Sequence, residues 1–100
     1  MLSVALILAL FAGGEEVWVF TLPECPPCKA LKADLKAHPE MVGGRPLKTL
    51  DLSENAKLGA KMEIRGVPTI ILMRDGKEVG RMVGYAGRWR LQDWLCDKDT

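Results

Sequence analysis

Val17-Trp18-Val19-Phe20-Thr21-Leu22-Pro23-Glu24-Cys25-Pro26-Pro27-Cys28-Lys29-Ala30-Leu31-Lys32 is the stretch that decides how this chain is read. Its first six residues are mostly β-branched or aromatic, and the run is short, which predicts a buried strand. Pro23 ends the strand. Pro27 can occupy the first turn of a helix, where its missing N–H costs nothing. Ala30, Leu31 and Leu35 then separate from Lys29, Lys32 and Lys36 at helical spacing. The residue before Pro39 disfavours helical backbone, so this helix should fail near His38. At the junction of strand and helix stand two cysteines with two residues between them. Such a pair holds two thiols at a helix N-terminus, where one becomes a nucleophile and the other can close a small disulfide ring.

Downstream, Gly43-Gly44-Arg45-Pro46 reads as a turn and Leu47 to Leu52 as a strand. Ser53 is a good N-cap for a helix running to about Met62, with Ala56, Leu58 and Ala60 available to pack. Thr69 to Met73 is apolar and β-branched, a further buried strand. Asp75-Gly76 is a favoured hairpin turn, and Lys77 to Val83 is the return strand. Residues 88–96 form a last amphipathic helix with Leu91, Trp94 and Leu95 on one face. A strand–helix–strand start favours parallel pairing through a right-handed crossover, and the hairpin adds an antiparallel pair. The expected architecture is α/β, a mixed four- to five-stranded sheet with helices on both faces.

One hundred residues make a single domain, 1–100, large enough for a modest core without covalent staples. The net charge of +1 gives no electrostatic case for nucleic acid or an acidic membrane. Trp18, Trp89 and Trp94 have no interleaved basic strip and read as packing residues, so no nucleic-acid partner is expected. Three cysteines are too few for a disulfide framework once two form the CxxC pair. Residues 1–14 stand apart from the compact redox core expected over 15–100. Leu2 to Ala12 is almost wholly apolar and ends in Ala12-Gly13-Gly14, like the apolar part of an export signal. No Lys or Arg precedes it, and it is short of the ~20 residues that span a bilayer. The expectation is that Leu2–Phe11 is an integral part of a cytoplasmic domain; the alternative is an exported or anchored chain.

Cys25-Pro26-Pro27-Cys28, followed by Ile64-Arg65-Gly66-Val67-Pro68-Thr69, then Asp75-Gly76, then Val83-Gly84, resembles the thioredoxin family over about Val17 to Leu95. The resemblance implies the thioredoxin fold and a cis Val67–Pro68 bond beside the dithiol. It also implies a thiol–disulfide oxidoreductase that reduces protein disulfides, with Cys25 attacking and Cys28 resolving. Pro26, Pro27, Val67, Pro68 and Gly84 would line the substrate groove. It implies no cofactor or metal, a reductase or thiol as electron donor, and a monomer. The Thr-Leu-Pro-Glu-Cys approach is closer to glutaredoxins, and Cys-Pro-Pro-Cys itself resembles tryparedoxin. A glutathione-dependent reductase is therefore one alternative, and a metal-bridging or non-catalytic module of the same fold is another. Two departures stand out. Thioredoxins usually carry Trp before the first cysteine, where this chain has Glu24. They also carry a buried Asp six residues before that cysteine, the usual proton acceptor for the second thiol, and this chain has Val19.

The chemistry needs an exposed thiolate, and a free Cys with pKa ~8.5 is mostly protonated near neutrality. The partial positive charge of a helix N-terminus favours the anion at Cys25. Neither Pro26 nor Pro27 has an N–H, so the anion is expected to rely on the amides of Cys28 and Lys29. Lys29 itself reads as a solvated helix lysine and Glu24 as a surface carboxylate. His38 reads as a polar residue at a helix end. Cys96 is expected to be a buried structural residue of the last helix.

Overall fold

The computed structural model describes residues 14–98. The expectation for Leu2–Phe11 lies outside them. The elements are β1 (Glu15–Thr21), α1 (Pro26–Ala37), a 3₁₀ turn (Pro39–Val42), β2 (Leu47–Asp51), α2 (Ala56–Lys61), β3 (Thr69–Arg74), β4 (Lys77–Val83) and α3 (Arg88–Lys98). The four strands form one mixed sheet in the order β2-β1-β3-β4. β1 pairs with β2 in parallel, and β3 is antiparallel to both β1 and β4.

Alternation along β1 divides the core between the two faces of the sheet. Val17 and Val19 share one cluster with Leu31 and Leu35 of α1, Met41 and Val42 of the 3₁₀ turn, and Leu91 and Leu95 of α3. Phe20 joins Leu50, Ile71 and Met73 on the other face, with Leu58, Met62 and Ile64 packed against them. β3 is buried on both faces, as expected for a strand flanked by two others and covered by helices. At the far end of the sheet from the cysteines, Glu15 accepts from Arg45 Nε at 2.8 Å and from Arg74 Nε at 2.6 Å. These two guanidinium groups hold the Glu15 carboxyl below its ordinary range. The hairpin turns through Asp75 and Gly76 with φ of +53° and +77°, both left-handed, as a two-residue turn between twisted strands requires.

Four expectations are corrected. Ser53 does not cap a helix. The Asp51 carboxylate accepts from the Ser53 amide at 2.8 Å and from its hydroxyl at 2.5 Å, while Asn55 Nδ2 donates to the Asp51 carbonyl at 2.9 Å. This local turn competes with helix formation, so α2 starts only at Ala56. Within α2, Ala56 and Ala60 are exposed, while Leu58 packs as expected and Gly59 is the fully buried residue. An added Cβ at Gly59 would meet Leu52 Cδ1 at 2.3 Å, so a larger residue there would have to displace the Leu52 side chain. Cys96 is exposed. The buried stripe of α3 is Leu91 and Leu95, and the next residue is rotated some 100° away from it. Trp89 is likewise exposed, its ring 4.3 Å from the Arg88 guanidinium carbon, rather than packed in the core.

Candidate active site

The sheet register gathers the site at one edge. β1 runs out at Thr21, and four residues later Cys25 opens α1. Phe20 stands opposite Thr69 in β3, and Thr69 stands opposite Val83 in β4. The next residues outward are therefore Thr21, Pro68 and Gly84, side by side at the same end. The Gly84 amide donates to the Pro68 carbonyl at 2.8 Å, which extends the β3–β4 ladder by one step. The Val67–Pro68 peptide bond is cis. Pro68 is buried, while Val67 and Gly84 are half-buried and line the edge beside it. Gly84 adopts φ +90°, and an added Cβ would point into open space. Glycine is thus needed for the backbone turn and also leaves the space above Pro68 clear.

Cys25 and Cys28 form a disulfide with Cα atoms 5.1 Å apart. Cys25 is the N-cap residue of α1, with extended backbone, and Pro26 and Pro27 fill the first turn. The Cys28 amide donates to Cys25 Sγ at 3.2 Å. The Lys29 amide instead donates to the Cys25 carbonyl at 3.0 Å, the first regular bond of the helix. Only one of the two expected amides therefore reaches the sulfur. Cys28 lies one turn inside and is wholly buried, whereas Cys25 keeps 8% of its surface in solvent. Pro26, Pro27, Glu24 and Lys29 are all exposed around it. At Val19 the side chain is sealed in the apolar cluster with Leu31 and Leu35, with no carboxylate in its place.

Tyr85, Asp34 and Arg88, not singled out in the sequence, brace the elements around the site. The Tyr85 hydroxyl donates to Asp34 Oδ2 at 2.5 Å, tying the loop after Gly84 to α1. Burial, and then that bond to Asp34, pushes the Tyr85 phenol up, so it stays a donor. Arg88 Nη1 lies 3.0 Å from His38 Nδ1 at the C-terminal end of α1, and His38 also approaches Glu40. His38 is the C-cap, its amide donating to the Asp34 carbonyl. The sequence signal for these ties was faint, because it lay in residues 51 and 50 positions apart. Among the described residues no three His, Cys, Asp or Glu side chains converge as a metal site. No described helix is long and apolar enough to cross a membrane.

A helix-capped pair of cysteines at the open end of a mixed sheet, one retaining slight exposure and one wholly sealed, defines a dithiol redox protein. Comparison with known proteins gives the same class. Residues 2–98 match the family model of the thioredoxin-like domain. The chain is 32% identical to thioredoxin of Staphylococcus aureus over 84 residues, which cover 83% of this chain and 81% of that protein. Among solved structures, Fasciola hepatica thioredoxin superposes with a TM-score of 0.76 at 24% identity, covering 94% of this chain and 90% of that one. A mutant thioredoxin from Halobacterium salinarum NRC-1 also gives 0.76, at 26% identity, over 93% and 81% of the two chains. The chain belongs to the thioredoxin family, and it is a thiol–disulfide oxidoreductase.

Proposed function

We propose that this protein reduces disulfides in protein substrates, with Cys25 as the attacking thiol and Cys28 as the resolving one. The observation that carries this reading is the asymmetry of the pair. Cys25 Sγ accepts an amide hydrogen at the helix cap and retains exposure, while Cys28 is sealed. The Cys25 thiolate attacks one sulfur of the substrate disulfide, forms a mixed disulfide and releases the other sulfur as a thiolate. Cys28 then loses its proton and attacks Cys25 Sγ. The substrate's second sulfur leaves, and the Cys25–Cys28 disulfide forms. Two electrons have moved to the substrate, and a reductase or small thiol returns two electrons to the pair. The substrate would lie extended against the Gly66–Val67 edge in the manner of an added strand, passing Pro68 and Gly84. A monomer suffices for this chemistry. A cytoplasmic location, with residues 1–14 retained, is part of the same reading.

The test uses disulfide trapping. Cys28→Ser should accumulate mixed disulfides with substrate, and Cys25→Ser should accumulate none; the opposite pattern would reverse the roles. In insulin reduction driven by dithiothreitol, Cys96→Ser should match the wild type, because Cys96 sits on the outer side of α3. A chain isolated from native cells that starts at Glu15 would overturn the location.

A further inference from the structure

We propose that the Thr21 hydroxyl is the polar partner of the Cys28 sulfur in the reduced protein, doing there part of what an acid at Val19 would otherwise do. Thr21 is 1% exposed, and its Oγ1 has no hydrogen-bond partner among the described residues. Buried hydroxyls without partners are uncommon and destabilising, so such a group calls for an explanation. The strand and helix supply one. Thr21 follows Val17 and Val19 on the same face of β1. That face is covered by α1, whose buried stripe is Cys28, Leu31 and Leu35. Leu31 and Leu35 share a cluster with Val17 and Val19. The chain reverses between β1 and α1, so the first residue of the helix stripe falls at the same end of this face as the last residue of the strand. Cys28 and Thr21 are those two residues.

The pairing depends on redox state. In the disulfide, Cys28 Sγ has no hydrogen to give and is a weak acceptor. Reduction of the disulfide takes up two electrons and two protons and restores a thiol at Cys28. A hydroxyl is both donor and acceptor, so Thr21 Oγ1 can accept the thiol S–H and, when that proton leaves for solvent or the departing substrate thiolate, turn its own hydrogen onto the Cys28 anion. Thr21 never holds the proton itself. It acts by stabilising the thiol and then the thiolate, and so assists the resolving step. This inference rests on the proposed role of Cys28 for its kinetics but not for its equilibrium.

The test is Thr21→Val, which keeps the shape and removes the hydroxyl, with Thr21→Ser as the rescue. Valine deprives the dithiol of its partner and relieves the disulfide of an unpartnered hydroxyl, so both changes favour the disulfide. The equilibrium against dithiothreitol should shift about tenfold toward the disulfide, which is ~30 mV for a two-electron couple. In a Cys25→Ser, Cys96→Ser background, Thr21→Val should raise the pH at which Cys28 alkylates; in the protein that keeps both Cys25 and Cys28, Thr21→Val should slow resolution of a mixed disulfide preformed on Cys25. Thr21→Ser should return the equilibrium to near the wild-type value. The oxidised Thr21→Val protein should melt no lower than the wild type, which shows that it folds. An equilibrium within twofold of wild type, or Thr21→Ser behaving like Thr21→Val, would overturn the proposal. Should trapping reverse the cysteine roles while the equilibrium still shifts, the catalytic assignment falls and the hydroxyl–sulfur pairing stands.

Discussion

Replacing Val19 by aspartate would place a carboxyl group where the family usually carries one, but in surroundings built for valine. Val19 is 1% exposed among Val17, Leu31, Leu35, Ile70 and Leu72. No charged side chain belongs to that cluster, so desolvation would raise the acid's pKa, by roughly 3 units or more for a fully buried group. Each unit corresponds to about 1.4 kcal/mol, so a shift of that size is worth about 4 kcal/mol. The unfolded chain releases this proton near its ordinary carboxylate pKa of ~3.9, whereas the folded chain would hold it. Stability of Val19→Asp should therefore be greatest below that value, fall as pH rises to the raised folded pKa, and level off above it. Against a total of roughly 5–15 kcal/mol for a domain, the variant should fold at pH 5 and be weakened sharply at pH 8. The lost valine packing adds about 1.5–2 kcal/mol at every pH. Urea titrations of wild type and variant at several pH values between 4 and 8 measure the difference directly. Near the raised pKa, where part of the folded variant carries the carboxylate, it should resolve mixed disulfides faster than wild type, because the carboxylate is a general base for Cys28. A stability difference that does not change with pH would refute the dry environment assigned to this position. Unchanged resolution in the folded variant would refute the need for a base there.

Glu15→Gln removes the charge that Arg45 and Arg74 share. It should destabilise by about 1–2 kcal/mol at pH 7 in chemical denaturation. Because those arginines hold the Glu15 carboxyl below its ordinary range, their contribution is present above that range and is lost as pH falls through the folded pKa, so wild type and variant should converge in acid. Tyr85→Phe breaks the bond to Asp34 that ties the Gly84 loop to α1. It should lower turnover with a protein disulfide several-fold, on the scale of ~1 kcal/mol for a lost hydrogen bond, while reduction of a small disulfide is little changed. Equal losses on both substrates would remove the loop from substrate recognition.

What could be read in the sequence was what local chemistry dictates. Asp75-Gly76 announces a turn because both residues must take positive φ, and it does so without reference to anything distant. Cys25-Pro26-Pro27-Cys28 likewise carries its own geometry, a cap followed by a first turn that needs no N–H. The misreadings arose where one local preference met another or met the sheet. Ser53 has the chemistry of a cap, but the Asp51 carboxylate two residues earlier takes both its amide and its hydroxyl. Cys96 has the burial habit of free cysteines, but the α3 stripe already closes with Leu91 and Leu95. The position of Val19 shows how far the reading of one residue extends. Its side chain reveals that an acid is missing, and nothing in the neighbouring letters tells what stands in its place. Only the alternation of β1 under α1 puts Thr21 on that face, at the end where Cys28 lies. A threonine in an apolar strand is unremarked as a letter, but a buried hydroxyl without a partner, at the end of the strand that leads to the dithiol, is what points from the missing acid to the proposed substitute.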